Sequence, residues 1–79
     1  MSRKDVSPEH EVFFKRIGDK LNHLREEKGV TIFQMGKDLG MSRNMIAQLE
    51  KGECYVNTST LLSIIDYFGQ DPLTFFKQL

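Results

Sequence analysis

The chain has 79 residues, of which 39% are hydrophobic and 28% are charged, so its composition is that of a globular protein and excludes an intrinsically disordered one. This length supports a single domain with one modest core. The 11 Lys and Arg residues balance the 11 Asp and Glu residues, which excludes a strongly basic, polyanion-binding chain. Any nucleic-acid surface must therefore arise from the local placement of charges.

Cysteine and histidine usage predicts neither a metal site nor a cofactor. Cys54 is the single cysteine, so an internal disulfide is excluded, and no second thiol stands at zinc-ligand spacing. His10 and His23 are too far apart on one helix to share a metal, and we expect both at the surface. No apolar run is long enough for a signal peptide or a membrane span. We therefore expect a cytoplasmic protein with no membrane contact.

The first predicted helix begins after a short tail, residues 1–6, that we expect to be flexible. Ser7 and Pro8 match an N-cap followed by proline at the first helical position. The helix is expected to end at Gly29. Its apolar residues recur at intervals of three, four and three, which predicts one buried stripe: Phe14, Ile17, Leu21 and Leu24.

Two short helices follow. Thr31 and Gln34 have the spacing of a capping box, which predicts a second helix from about Ile32 through Leu39, closed by Gly40. Ser42 then caps a third helix that ends near Lys51-Gly52, with Ile46 and Leu49 facing inward. So short a link requires the two helices to cross at a steep angle. Gly36 is expected to face the partner helix and permit close approach.

The last part of the chain predicts two more helices. Asn57 or Thr58 can cap a fourth helix that ends at Gly69. Asp71-Pro72 repeats the cap-then-proline pattern and opens a fifth helix, Leu73 to about Gln78. No alternating strand pattern competes with these assignments. The sequence therefore predicts an all-α fold of five helices in one domain, residues 1–79.

The outward face of the third helix carries an unusual set of side chains: Arg43, Asn44, Ala47 and Gln48. Arginine can contact guanine O6 and N7 in bidentate fashion, Asn or Gln can contact adenine in the same way, and alanine can meet a thymine methyl group. The alternative is an ordinary solvated helix face. From these four side chains alone, the solvated face is the favoured interpretation.

The string TIFQMGKDLGMSRNMIAQLEKG, residues 31–52, resembles the helix-turn-helix of the Cro/C1-type (Xre) family of bacterial and phage repressors. The matching features are Leu39-Gly40 before the turn, Met41 and Ser42 within it, and Ile46, Leu49, Glu50 and Gly52 in and after the second helix of the motif. The string TLLSIIDYFGQDPLTFF fits the family's fourth and fifth helices. The resemblance spans roughly residues 17–76.

The resemblance implies a lambda-repressor-like DNA-binding domain whose third helix lies in the major groove of duplex DNA. The four outward residues above would then read bases. The residues that would hold phosphates are Thr31, Ser42, Lys51, Tyr55, Asn57 and, more weakly, Lys37. The expected role is a transcriptional regulator, a repressor or self-regulating switch, that binds a pseudo-palindromic operator as a homodimer.

A second hypothesis is an antitoxin-like or anti-repressor module that keeps the fold but binds a protein partner. It rests on the neutral net charge and on Ile32, which stands where the family usually has a glutamine that contacts a phosphate. An enzyme is a distant third, since no catalytic constellation can be nominated from the sequence. We therefore predict that the protein is not an enzyme.

The helix-five aromatics suggest an interface. Adjacent helical residues point about 100° apart, so one of Phe75 and Phe76 is expected near the surface. We predict a dimer interface formed by Phe75, Phe76 and Leu79. The alternative is that helix five packs back on helix one.

Overall fold

The computed structural model describes residues 8–53 and 56–79, and within them the chain is all α-helical. The elements are α1 (Pro8–Lys28), α2 (Ile32–Leu39), α3 (Arg43–Glu50), α4 (Thr58–Tyr67) and α5 (Pro72–Lys77). The five predicted helices are thus confirmed, with bounds within one or two residues. The predicted tail, the Ser7 cap, Cys54 and Tyr55 lie outside the described residues.

Side-chain caps start four of the helices. In each case an oxygen of the residue before the helix accepts a hydrogen bond from the backbone N–H three residues on, at 2.8–3.1 Å. The caps are Thr31, Ser42, Asn57 and Asp71. Asn57, rather than Thr58, caps α4. Of the α2 capping box, the structure shows the hydrogen bond from the Gln34 backbone N–H to Thr31 Oγ1, and the Gln34 side-chain amide donates to Asp38 Oδ1 at 2.7 Å.

All five helices contribute to one core. Its buried side chains are Ile17, Leu21, Met35, Ile46, Leu49, Ile64, Ile65 and Phe75. The predicted stripe of α1 is confirmed, with Phe14 and Leu24 half-buried against the same cluster. The inward face predicted for α3 is confirmed as well.

The turn between α2 and α3 depends on two glycines. Gly40 has φ 68° and ψ 32° and closes α2 in the left-handed conformation, as predicted. A Cβ on Gly36 would stand 2.5 Å from the Met41 carbonyl oxygen and 3.5 Å from Ile46 Cδ1. The close approach at Gly36 is therefore mainly to the turn, and only secondarily to the partner helix.

The end of α3 lies directly on α1. A Cβ on Gly18 would come within 2.5 Å of the Leu49 carbonyl oxygen, and one on Gly52 within 2.7 Å of Lys15 Cα. Both glycines are buried, and the backbones can approach this closely only because neither has a side chain. This contact fixes one face of α3 against the domain and leaves the opposite face outward.

Helix α5 packs back on α1, which was the alternative prediction for the aromatics. Phe75 is fully buried, and Lys20 Nζ lies 5.3 Å from its ring centroid. The prediction of Phe75 as a dimer-interface residue is therefore wrong, because its side chain fills the core of its own chain. Phe76 stacks on Phe13 with ring centroids 6.5 Å apart and stays 37% exposed. Leu79 is half-buried.

Candidate nucleic-acid interface

The outward face of α3 carries the predicted base-reading residues in the expected arrangement. Arg43 and Asn44 occupy the first turn, and Ala47 and Gln48 follow one turn later, so that the four share one side of the helix. Arg43, Asn44 and Gln48 are exposed and Ala47 is half-buried. Ile46 and Leu49 hold the other side in the core.

A shallow cleft runs between the start of α2 and this face of α3. It is lined by Ile32, Arg43, Asn44 and Ala47. Ile32 is half-buried against the core and forms an apolar wall beside Arg43 and Asn44. The cleft therefore combines an apolar floor with a cation and a carboxamide.

Phe33 also belongs to this surface, although the sequence analysis did not predict it as a site residue. Its ring is 57% exposed, and Arg43 Cζ lies 5.6 Å from the ring centroid, which is within the range of a cation–π contact. Among the described residues, no carboxylate pairs with Arg43, and the side-chain amides of Asn44 and Gln48 have no hydrogen-bond partner. Their polar atoms are therefore available to a ligand.

An ion pair secures the C-terminal end of α3. Arg25 Nε donates to Glu50 Oε2 at 2.7 Å, and Nη2 donates to Oε1 at 3.3 Å. Asn22 Nδ2 donates to the same carboxylate at 2.8 Å, and Arg25 Nη1 donates to the Val30 carbonyl oxygen at 2.9 Å. The Arg25 and Glu50 side chains are only 14% and 8% exposed. Hydrogen bonding to Glu50 raises the pKa of Arg25 above its ordinary value.

The described residues that are predicted to contact phosphates lie at or near the ends of α2, α3 and α4. The Thr31 and Ser42 hydroxyl oxygens accept the capping hydrogen bonds of α2 and α3, which leaves each hydroxyl hydrogen free to donate to a phosphate oxygen. Asn57 uses its carbonyl oxygen as the α4 cap, so its amide N–H groups can donate in the same way. The remaining candidates in the described residues, Lys37 and Lys51, are both exposed.

Internal partners engage the carboxylates of α2 and α3. Asp38 accepts hydrogen bonds from Tyr67 Oη at 2.6 Å and from Gln34 Nε2 at 2.7 Å. The hydrogen bonds from Tyr67 and then Gln34 lower the pKa of Asp38. Burial, and then the hydrogen bond to Asp38, raise the pKa of Tyr67 to about 12. Lys28 Nζ lies 4.9 Å from the Tyr67 ring centroid, so this cluster joins α1, α2 and α4.

Other kinds of site are not visible in the described parts of the chain. Residues 8–53 and 56–79 contain no group of three or more His, Cys, Asp or Glu side chains placed to hold a metal. None of the helices described is both long enough and apolar enough to span a membrane. His10 and His23 are exposed, as predicted.

Two short helices joined by a glycine turn, with the second presenting a polar outer face, define a helix-turn-helix domain. The family model described as a helix-turn-helix domain matches residues 16–74, and the chain belongs to that family. The matched segment contains α2, α3 and α4, most of α1 and the first half of α5.

The relatives are longer proteins named as HTH-type transcriptional regulatory proteins. One from Saccharolobus islandicus strain L.S.2.15 is 40% identical over 60 residues, covering 76% of this chain and 19% of the relative. One from Pyrococcus furiosus is 33% identical over 76 residues, covering 91% of this chain and 24% of the relative. The chain thus spans about a fifth to a quarter of these relatives' length. No solved structure gives a significant match to this chain.

Proposed function

We propose that this chain is a sequence-specific DNA-binding domain of a transcriptional regulator that reads the major groove with α3. The observation that carries the proposal is the outer face of α3, where Arg43, Asn44 and Gln48 surround Ala47. The side chains of these three polar residues form no hydrogen bond with any other described residue. These are the side-chain types that contact guanine, adenine and the thymine methyl group. The names of the relatives support the same role.

The geometry around α3 supports this proposal despite the neutral net charge. Phosphate-binding groups need only flank the reading helix. We expect the backbone N–H groups at the starts of α2 and α3, the two cap hydroxyls, Lys37 and Lys51 to do so. Glu50 is paired with Arg25, so we expect its charge not to oppose the phosphates.

We further propose that the regulator acts as a homodimeric repressor. A two-fold dimer would place two α3 helices in successive major grooves, about 34 Å apart, on a pseudo-palindromic operator. With Phe75 buried, the candidate contact consists of Phe76, its stacking partner Phe13, and Leu79. Repression requires only that the protein occupy the operator. Among regulatory roles, it therefore needs the fewest functions from the described helices.

The proposal is tested by selecting bound duplexes from a random-sequence pool at near-physiological salt. Three proteins are compared: wild type, the Arg43→Ala, Gln48→Ala double variant, and Arg16→Ala. The Arg16 variant removes one positive charge, as the double variant does, but from the exposed side of α1. We expect a two-fold symmetric consensus from wild type and Arg16→Ala that the double variant loses. A folded wild type that selects no consensus would refute sequence-specific reading.

The second candidate is an antitoxin-like or anti-repressor module that binds a protein partner. It is favoured by the exposed ring pair of Phe13 and Phe76 and by Ile32 in place of the family's usual glutamine. Co-purification of a stoichiometric partner that Phe76→Ala releases would support this function. A monodisperse homodimer that binds DNA in a sequence-specific manner would count against it.

A further inference from the structure

Phe33 is an aromatic residue at an exposed position, so packing in the core does not account for its ring. It is the second residue of α2, and 57% of its surface is exposed. The ring nevertheless has a partner in Arg43, whose Cζ lies 5.6 Å from the ring centroid. We propose, on the basis of the proposed DNA-reading function, that Phe33 is a positioning residue that holds the Arg43 guanidinium for contact with one guanine in the major groove.

The contact with the ring is compatible with base reading. A cation–π contact uses the positive charge of the guanidinium and none of its five N–H donors in a conventional hydrogen bond. Among the described residues, no carboxylate competes for those donors. Arg43 can therefore stay against Phe33 and still donate two hydrogen bonds to guanine O6 and N7.

The contact with Phe33 reduces the conformational entropy that the Arg43 side chain loses on binding DNA. A free arginine side chain samples many rotamers, and ordering it on DNA opposes association. The Phe33 ring favours conformations of Arg43 close to the ring before DNA arrives. Ile32 and Ala47 line the cleft beside Arg43. Both affinity and the preference for guanine should therefore depend on the ring.

The test is a double-mutant cycle on the duplex selected by wild type. Phe33→Leu removes the ring and keeps an apolar side chain, whereas Phe33→Tyr keeps the ring. Each is made with Arg43 present and with Arg43→Ala. Dissociation constants are measured on the selected duplex and on duplexes changed at the base pair whose preference Arg43→Ala loses. Thermal unfolding of every variant is measured in parallel.

We expect Phe33→Leu to weaken binding about 3- to 10-fold and to reduce the guanine preference by a similar factor. Phe33→Tyr should bind like wild type. In the Arg43→Ala background, Phe33→Leu should have no further effect, and melting temperatures should differ little because the ring is exposed.

Two outcomes separate this inference from the proposed function. If Arg43→Ala lowers the preference at a base pair but Phe33→Leu does not, the positioning role is overturned and base reading by Arg43 stands. If Arg43→Ala changes no base preference, the positioning role and base reading by Arg43 are both overturned, whereas reading by α3 as a whole fails only if wild type selects no consensus. Equal weakening by Phe33→Leu with and without Arg43 would also overturn positioning, because Phe33 would then act on DNA directly.

Discussion

The Arg25 guanidinium and the Glu50 carboxylate form a largely buried ion pair, with Nε and Oε2 2.7 Å apart, that joins α1 to the last residue of α3. Removing one partner leaves an uncompensated charge in a largely buried site. We therefore expect Arg25→Met to lower the free energy of unfolding by about 3 kcal/mol, measured by urea denaturation.

The matched control for this prediction is the double variant Arg25→Met, Glu50→Leu. It removes both charges and replaces them with apolar groups, so it should be more stable than Arg25→Met alone. If the single and double variants unfold at the same urea concentration, Glu50 is not penalised by loss of its partner. The pair would then be a minor contributor to the position of α3.

Gly36→Ala sets helix propensity against steric fit. Alanine in the middle of α2 should gain about 1 kcal/mol over glycine. Its Cβ, however, would stand 2.5 Å from the Met41 carbonyl oxygen, a backbone atom that can move only with the turn. We expect the steric effect to prevail, with a net loss of about 1–3 kcal/mol in the free energy of unfolding. The control is Lys37→Ala in the same helix, and a Gly36→Ala variant more stable than wild type would contradict the prediction.

Gly40 tests backbone strain in isolation. A Cβ there would meet nothing within 4 Å, yet φ is 68°. A β-branched residue is strained in this conformation, so Gly40→Val should lose more than about 1–2 kcal/mol of stability. Asparagine tolerates the left-handed region, and Gly40→Asn should lose less. Equal melting temperatures for the two variants would show that the turn adapts by changing conformation.

These residues also show what the sequence could and could not predict. The caps at Thr31, Ser42, Asn57 and Asp71 were predictable because each involves a backbone N–H only three residues away. The ion pair between Arg25 and Glu50 was not, since it joins positions 25 apart that meet only when α1 and α3 have packed. The close approach at Gly18 was not predicted either, since an isolated glycine within a helical pattern does not by itself identify its neighbour.

The candidate site likewise has one part that the sequence could predict and one part that it could not. The outward face of α3 followed from helical periodicity, because Ile46 and Leu49 identify the buried side. The contact between Phe33 and Arg43 depends on how α2 and α3 cross, which no local pattern specifies. The sequence predicted that one of Phe75 and Phe76 lies near the surface. It could not show which one, because that depends on the rotation of α5 about its axis.

Tyr67 should ionise at unusually high pH. Its folded pKa of about 12 lies above the ordinary value of 10.0, so its contribution to stability is complete below pH 10 and is lost as the pH rises through 12. A titration followed by tyrosinate absorbance should show a late step that Tyr67→Phe removes and Asp38→Asn moves to lower pH. Circular dichroism establishes that the chain stays folded. Wild-type tyrosines ionising together near pH 10 would refute the raised pKa.

Asp38 has the opposite dependence. Its folded pKa is lowered by the hydrogen bonds from Tyr67 and Gln34, so it adds stability above its unfolded pKa and loses it as the pH falls through the folded value. Tyr67→Phe should therefore reduce the difference in melting temperature between neutral and acidic solutions. An unchanged difference would mean that the hydrogen bond from Tyr67 does not hold Asp38 in its charged form.

Substitutions of the proposed base-reading residues and of the proposed phosphate-binding residues should have different effects on DNA binding. Arg43→Ala or Gln48→Ala should weaken binding to the selected operator by about 1–3 kcal/mol and relax specificity at one or two base pairs. Lys51→Ala should weaken binding to all duplexes alike and make the slope of log K against log salt shallower by about 0.9. Gln48→Ala, which removes no charge, should leave that slope unchanged. If Lys51→Ala alters base preference, or if Gln48→Ala weakens specific and random duplexes equally, the roles assigned to these two residues are wrong.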